Sequence, residues 1–92
     1  MRRAGKVDAN HSEIVSALRQ LGCSVQSLAS VGGGCPDMVV GWRGRNILLE
    51  VKTETGRQIH AQAKWFAMWH GQVAIVQSAE DAISVVREQL AI

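Results

Sequence analysis

Two runs of strand-forming residues flank a short turn segment, and their spacing constrains this chain more than any other feature. Asp37–Trp42 (DMVVGW) and Asn46–Lys52 (NILLEVK) are separated by Arg43-Gly44-Arg45. Short runs rich in Val, Ile, Leu and Trp, punctuated by glycine, favour extended backbone. Folded as a hairpin, with a two-residue loop at Arg43-Gly44 or a four-residue loop over Trp42–Arg45, they set Asp37 directly opposite Glu50. Opposed residues share a sheet face, with Cβ atoms about 4.5–5.5 Å apart. Side chains alternate along a strand, so Lys52 joins Glu50 on that face.

Two carboxylates facing each other repel and destabilise a hairpin. A divalent cation between them reverses the sign. Mg²⁺ accepts carboxylate oxygens while keeping several waters, and Mn²⁺ suits the same oxygen donors. Lys52 adds a compact positive charge. An acidic pair beside a lysine is equipped for metal-assisted attack of water on a phosphodiester. The competing reading is a set of solvated charges on an exposed face. Met38, Val39, Val40, Leu48, Leu49 and Val51 weigh against it, because nearly continuous apolar runs belong to buried sheets. Charges in such strands are costly unless paired or metal-bound.

The rest of the chain supplies a scaffold. Asn10-His11-Ser12-Glu13 has capping-box spacing, with Asn10 as N-cap. Ile14, Leu18 and Leu21 then form an apolar stripe ending at Gly22. Cys23–Leu28 is a short first strand, and Gly32-Gly33-Gly34 is a flexible loop delivering Pro36 and Asp37. This glycine run lacks the Gly-Lys-Ser/Thr and following helix of a phosphate-binding loop. Gln58–His70 is helical, with Ile59, Ala63, Phe66 and His70 along one stripe. Gln72–Gln77 is a fourth strand, and Ser78 opens a last helix carrying Ala82, Ile83, Val86 and Leu90. The predicted order is αβββαβα, an α/β domain spanning residues 1–92 with a mixed four-stranded sheet flanked by helices. The connection between the third and fourth strands should be a parallel, right-handed crossover. Residues 1–9 read as a basic, flexible arm.

The segment from Gly34 to Val40 (GCPDMVV), followed by Leu48-Leu49-Glu50-Val51-Lys52, resembles the PD-(D/E)xK nuclease signature. More narrowly, the chain resembles a stand-alone VRR-NUC domain of phage and bacterial type. Glu13 in the first helix, Thr53 after the lysine, Gly56-Arg57, and Gln62 in the next helix extend the resemblance from about Asn10 to Leu90. It implies a restriction-endonuclease-like fold and a metal held by Asp37, Glu50 and the backbone carbonyl of Val51. It also implies a water-mediated role for Glu13, and a supporting or phosphate-contacting role for Gln62 near Lys52. Small members of this kind are similar to Holliday junction resolvases, which act as homodimers on branched DNA.

Charge and composition agree with that expectation. The 92 residues allow one domain with a modest core. No apolar run reaches the ~20 residues of a membrane span. The two cysteines have no zinc or C-x-x-C spacing and no export signal precedes them, so they read as reduced thiols. The expected setting is the cytoplasm of a bacterium or a phage-infected host. The net charge is only +2, but Arg43, Arg45, Lys52, Arg57 and Lys64 cluster in sequence, and Arg2, Arg3 and Lys6 lie near the start. Such clusters bind phosphate backbones without reading sequence, although each residue alone also suits a solvated surface.

Other residues carry two readings. Glu13 either completes a helix cap or faces the metal. Trp65 and Trp69, neighbours four apart on a helix, form core or a subunit interface, or stack on unpaired bases; the sequence favours the interface. Cys35 lies beside the site without a base partner. His60 is near enough for proton transfer, His70 suits a helix end, and His11 lies near the start of the first helix. Glu54 ranks below Glu50, because Gly56 interrupts the strand. The expected function is a Mg²⁺- or Mn²⁺-dependent endonuclease for branched DNA. The catalytic set is Glu13, Asp37, Glu50, Lys52 and Gln62, and the DNA contacts are Arg43, Arg45, Thr53, Arg57 and Lys64. A flap or single-strand nuclease and a non-catalytic DNA-binding module are the alternatives.

Overall fold

The computed structural model describes residues 4–52 and 60–91, with side chains from Asn10 to Lys52 and from Ala61 to Ala91. The elements are α1 (Ala4–Leu21), β1 (Ser24–Ser27), β2 (Met38–Trp42), β3 (Arg45–Val51), α2 (His60–Met68), β4 (Val73–Val76) and α3 (Ala79–Leu90). This is the expected αβββαβα order on one mixed sheet, with strands side by side as β1-β2-β3-β4. β1–β2 and β2–β3 run antiparallel, and β3–β4 run parallel.

Turn chemistry sets the hairpin register. Trp42 pairs with Arg45, which leaves Arg43-Gly44 as a two-residue loop. Both residues have positive φ, 53° and 81°. That is the type I′ pattern, whose twist matches the flanking strands. Gly44 adopts it without a Cβ penalty. Arg43 is held there with its guanidinium 4.4 Å from the centre of the Trp42 ring, a cation–π contact. Met38 pairs with Leu49, so one step further the register carries Asp37 to Glu50.

Strand alternation sorts the side chains onto two faces. Met38, Val40, Ile47 and Leu49 are buried against Ile14 and Leu18 of α1 and Ala82, Val86 and Leu90 of α3. Burying each of these larger side chains contributes about 1.5–3 kcal/mol, so this layer holds the fold together. The opposite face carries Asp37, Val39, Leu48 and Glu50, and α2 reaches it through Gln62. The last helix begins as expected. Ser78 Oγ accepts from the Asp81 amide at 3.0 Å, and Asp81 Oδ2 accepts from the Gln77 amide at 2.9 Å.

Two expectations change. α1 starts at Ala4, so Asn10 lies inside the helix rather than capping it. Nothing between Lys6 and Asn10 breaks a helix, and once nucleated a helix propagates through such residues. Residues 4–9 therefore belong to α1 instead of a flexible arm, and residues 1–3 lie outside the described residues. On α2 the inward side differs from the predicted stripe. Ala63 and His70 are exposed, Ile59 is outside the described residues, and Gln62, Trp65 and Phe66 are half-buried. The helix packs over a polar cluster, so its inward side includes a glutamine. Among the described residues no helix is long and apolar enough to cross a membrane.

Candidate active site

Asp37 stands where the chain enters β2, just after the buried Pro36. Its carbonyl accepts from the Leu28 amide at 2.8 Å, which anchors the backbone beside the end of β1. Its side chain crosses the hairpin, and Oδ2 accepts from the Val51 amide at 2.7 Å. That bond holds the Asp37 carboxylate next to the strand that carries Glu50.

Among the described residues Glu50 is the buried charged residue, only 3% exposed. Its Oε2 accepts from Gln62 Nε2 at 2.5 Å and lies 3.7 Å from Lys52 Nζ. Lys52 Nζ in turn donates to Gln62 Oε1 at 2.7 Å. Gln62 thus bridges acid and base, with its amide orientation fixed by donating to one and accepting from the other. Burial pushes the Glu50 carboxyl above its ordinary range, and the Asp37 charge pushes the same way; Gln62 and Lys52 oppose both. Among the described residues Glu50 Oε1 is buried with no hydrogen-bond partner.

A divalent metal fits this arrangement. A buried carboxylate oxygen lacking a donor, beside a second carboxylate, costs free energy that a hard cation would offset. Asp37, Glu50 and the Val51 carbonyl offer oxygen donors only, and so sparse a protein set suits an ion that keeps several waters. Among the described residues no three His, Cys, Asp or Glu gather into a ligand cluster.

The structure brings together Asp37, Glu50, Val51, Lys52 and Gln62 and leaves other predicted residues apart. Glu13 is exposed on α1, the helix packed on the opposite face of the sheet through Ile14 and Leu18. Arg43 and Arg45 are exposed at the far end of the hairpin. At about 3.3 Å per residue they stand roughly 17–20 Å from the acidic pair. Lys64 is exposed on α2, immediately before the half-buried Trp65 and Phe66. Thr53, Glu54, Gly56, Arg57 and Gln58 lie outside the described residues, as does the side chain of His60. The Cys35 thiol is pushed up by burial and then by Glu50 and Asp37. That direction works against the thiolate, the form in which a cysteine acts as a nucleophile.

One contributor was missed in the sequence. Gly34 sits at φ 87°, pressed against α2, where a β-carbon would collide with the backbone carbonyl of Ala61 and stand 3.1 Å from the Gln62 nitrogen. Its absent side chain lets the glycine loop pack beside the turn that presents Gln62. The signal was visible as three successive glycines, but a flexible loop and a close approach look alike in sequence.

No protein-family model matches the sequence, and no curated protein does. Among solved structures, the chain is similar to one titled "VRR_NUC domain", with a TM-score of 0.71 and 21% identity, over 89% of this chain and 95% of that one. At this identity the likeness establishes the fold, which is the restriction-endonuclease-like fold that the resemblance implied.

Proposed function

We propose that this chain is a Mg²⁺- or Mn²⁺-dependent endonuclease hydrolysing phosphodiester bonds in DNA, selective for branched structures such as four-way junctions. The observation that carries this reading is the buried Oε1 of Glu50, which has no donor among the described residues, on the strand beside Asp37, with Lys52 and Gln62 fixed around the same carboxylate. Asp37, Glu50 and the Val51 carbonyl would hold the metal. When bound, it lowers the pKa of a water and offsets charge on the scissile phosphate.

The remaining work falls to the chain's own groups. Lys52 presents an ammonium whose direction is set by Gln62 Oε1 and Glu50 Oε2. There it orients the attacking water and stabilises negative charge developing on phosphate. Gln62 is a positioning residue, since it acts through its neighbours. Glu13 is exposed in the opposite layer, so the acid–base work is assigned to Lys52. Lys64, exposed on α2, is proposed to meet a backbone phosphate, and Thr53 and Arg57 are proposed contacts on the sequence resemblance alone. Arg43 and Arg45, about 17–20 Å away along the hairpin, would reach a duplex arm some six base pairs from the cut at about 3.4 Å per pair.

A homodimer suits this substrate, because two-fold symmetry sets two equivalent sites on opposite strands of a junction. The reduced cysteines and the DNA substrate suit the cytoplasm of a bacterial or phage-infected cell. The test is cleavage of a labelled four-way junction in Mg²⁺ and in Mn²⁺, beside linear duplex, flap and single strand, with Lys52→Ala as control. Paired nicks in the junction alone, lost in the variant, are expected. Cutting only flaps or single strands would keep the chemistry and replace the substrate. A folded protein cutting nothing in either metal would leave a DNA-binding module.

A further inference from the structure

A groove next to the Gly34–Ala61 contact is built from Gly33, Ala61, Lys64, Trp65, Met68 and Trp69. Its floor is aromatic. The Trp65 and Trp69 rings stack on each other with centroids 4.6 Å apart and planes within 17°. The Trp69 edge lies over Gly71, where a β-carbon would stand 2.9 Å from the indole nitrogen. Packing thus fixes the ring while Trp69 remains 45% and Met68 70% exposed. Opposite, Gly33 offers bare backbone, with nothing within 4 Å of where a β-carbon would stand. Lys64 supplies a cation at the rim.

We infer that this groove binds an unpaired nucleobase of a DNA strand, stacked on the Trp65–Trp69 pair with its phosphate against Lys64. The inference rests on the nuclease reading and specifies its substrate: the strand led to the acidic pair carries unpaired bases near the cut. Helix geometry supports the placement. Gln62 and Trp65 stand at positions i and i+3 on α2, and Trp69, the residue after the helix ends at Met68, stacks on Trp65. The end of α2 at Met68, just before Trp69, lies about 9 Å beyond Gln62 at 1.5 Å per residue, between two and three phosphate spacings of a stacked strand. Aromatic platforms beside cations recur where proteins hold single strands, because every base has a π face.

A second copy of the chain fits less well. A two-fold interface sets the same patch against itself, bringing Lys64 towards its own mate with no acidic residue among the groove's lining residues. The groove has six lining residues, against about 20–30 a side in a standard interface. A polyanion with flat apolar rings matches both the charge and the size.

The test uses the whole chain without divalent metal, so that nothing is cut. Affinity is read by fluorescence anisotropy for a labelled 12-nucleotide oligothymidylate and for an all-abasic strand of equal length. Stacking worth about 1–3 kcal/mol per base predicts at least about tenfold tighter binding of the oligothymidylate. Trp69→Leu, which keeps apolar bulk without the ring system, should reduce it to the abasic level, and Trp69→Phe should retain most of the preference. Equal affinity for the two strands, or an undiminished preference in folded Trp69→Leu, overturns the inference. So does conversion of a dimer to a monomer by Trp69→Leu, seen in sedimentation, with base preference intact. The nuclease reading is scored separately: a protein that prefers bases but cuts nothing with metal loses that reading, and one that cuts without a base preference loses the groove.

Discussion

Gly34 and Ala61 meet backbone to backbone, and no side chain larger than hydrogen fits between them. The contact ties the loop before Pro36-Asp37 to the first turn of α2, the turn that carries Gln62. The aspartate accepts from the Val51 amide and the glutamine donates to Glu50, so both act on the same stretch of β3.

Gly34→Ala should damage the site more than the fold. The residue sits at φ 87°, where an L side chain costs about 1–2 kcal/mol, and the collision with Ala61 adds to it. The chain should remain folded by circular dichroism because the α1–sheet–α3 core is untouched, while metal-dependent cleavage falls at least about tenfold. Full activity would show that α2 and the loop adjust independently.

Glu50→Gln should stabilise the metal-free protein while abolishing cleavage. The folded-state carboxyl lies above its ordinary range because of burial and Asp37. A raised carboxyl favours the folded state below its unfolded pKa, about 4.3, and that contribution disappears as pH rises through the folded value. Wild type in EDTA should therefore lose melting temperature relative to Glu50→Gln as pH rises above about 4.3. Saturating Mg²⁺ or Mn²⁺ should narrow the gap. A gap that shrinks with rising pH in EDTA would contradict the assignment.

Lys52→Ala should do the reverse to stability. It leaves the Glu50 carboxylate buried without its cation, a loss of about 3 kcal/mol for such a pair, readable by urea denaturation. Combining it with Glu50→Gln should restore most of that loss, because no buried charge remains. A double variant as unstable as Lys52→Ala would mean that the lysine acts by packing alone. Cleavage should fall about 10²–10⁴-fold in Lys52→Ala, the usual scale for a lost proton-transfer or charge-stabilising group.

Arg43→Ala should leave the cleavage rate at saturating DNA unchanged, since the turn stands about 17–20 Å from the acidic pair. Lys64→Ala should lower the slope of log affinity against log salt by about 0.7–0.9, one phosphate contact on single or double strands. An unchanged slope would remove Lys64 from the DNA path.

Leu49→Ala should cost about 2–5 kcal/mol, because Leu49 is fully buried between the sheet and its two covering helices. Phe66→Ala should cost less, since Phe66 is half-buried on the α2 side. Chemical denaturation compares the two directly.

The sequence by itself determined the hairpin, its register, the opposition of Asp37 and Glu50, and the order of elements. These follow from local rules: period-two alternation, a turn residue that tolerates positive φ, and a serine cap. It also placed Lys52 with Glu50, because two residues on one strand cannot face apart. Only the tertiary structure decided which side of α2 turns inward, where a stripe of Ala63 and His70 gave way to Gln62, Trp65 and Phe66. It also decided that Glu13 lies exposed in the other layer, that Arg43 and Arg45 stand at the far end of the hairpin, and that Gly34 is a contact. Those outcomes depend on how layers meet across the sheet. Helical spacing names a face but not its neighbour, and charge clustered in sequence spreads over roughly 20 Å once the strand that carries it is extended.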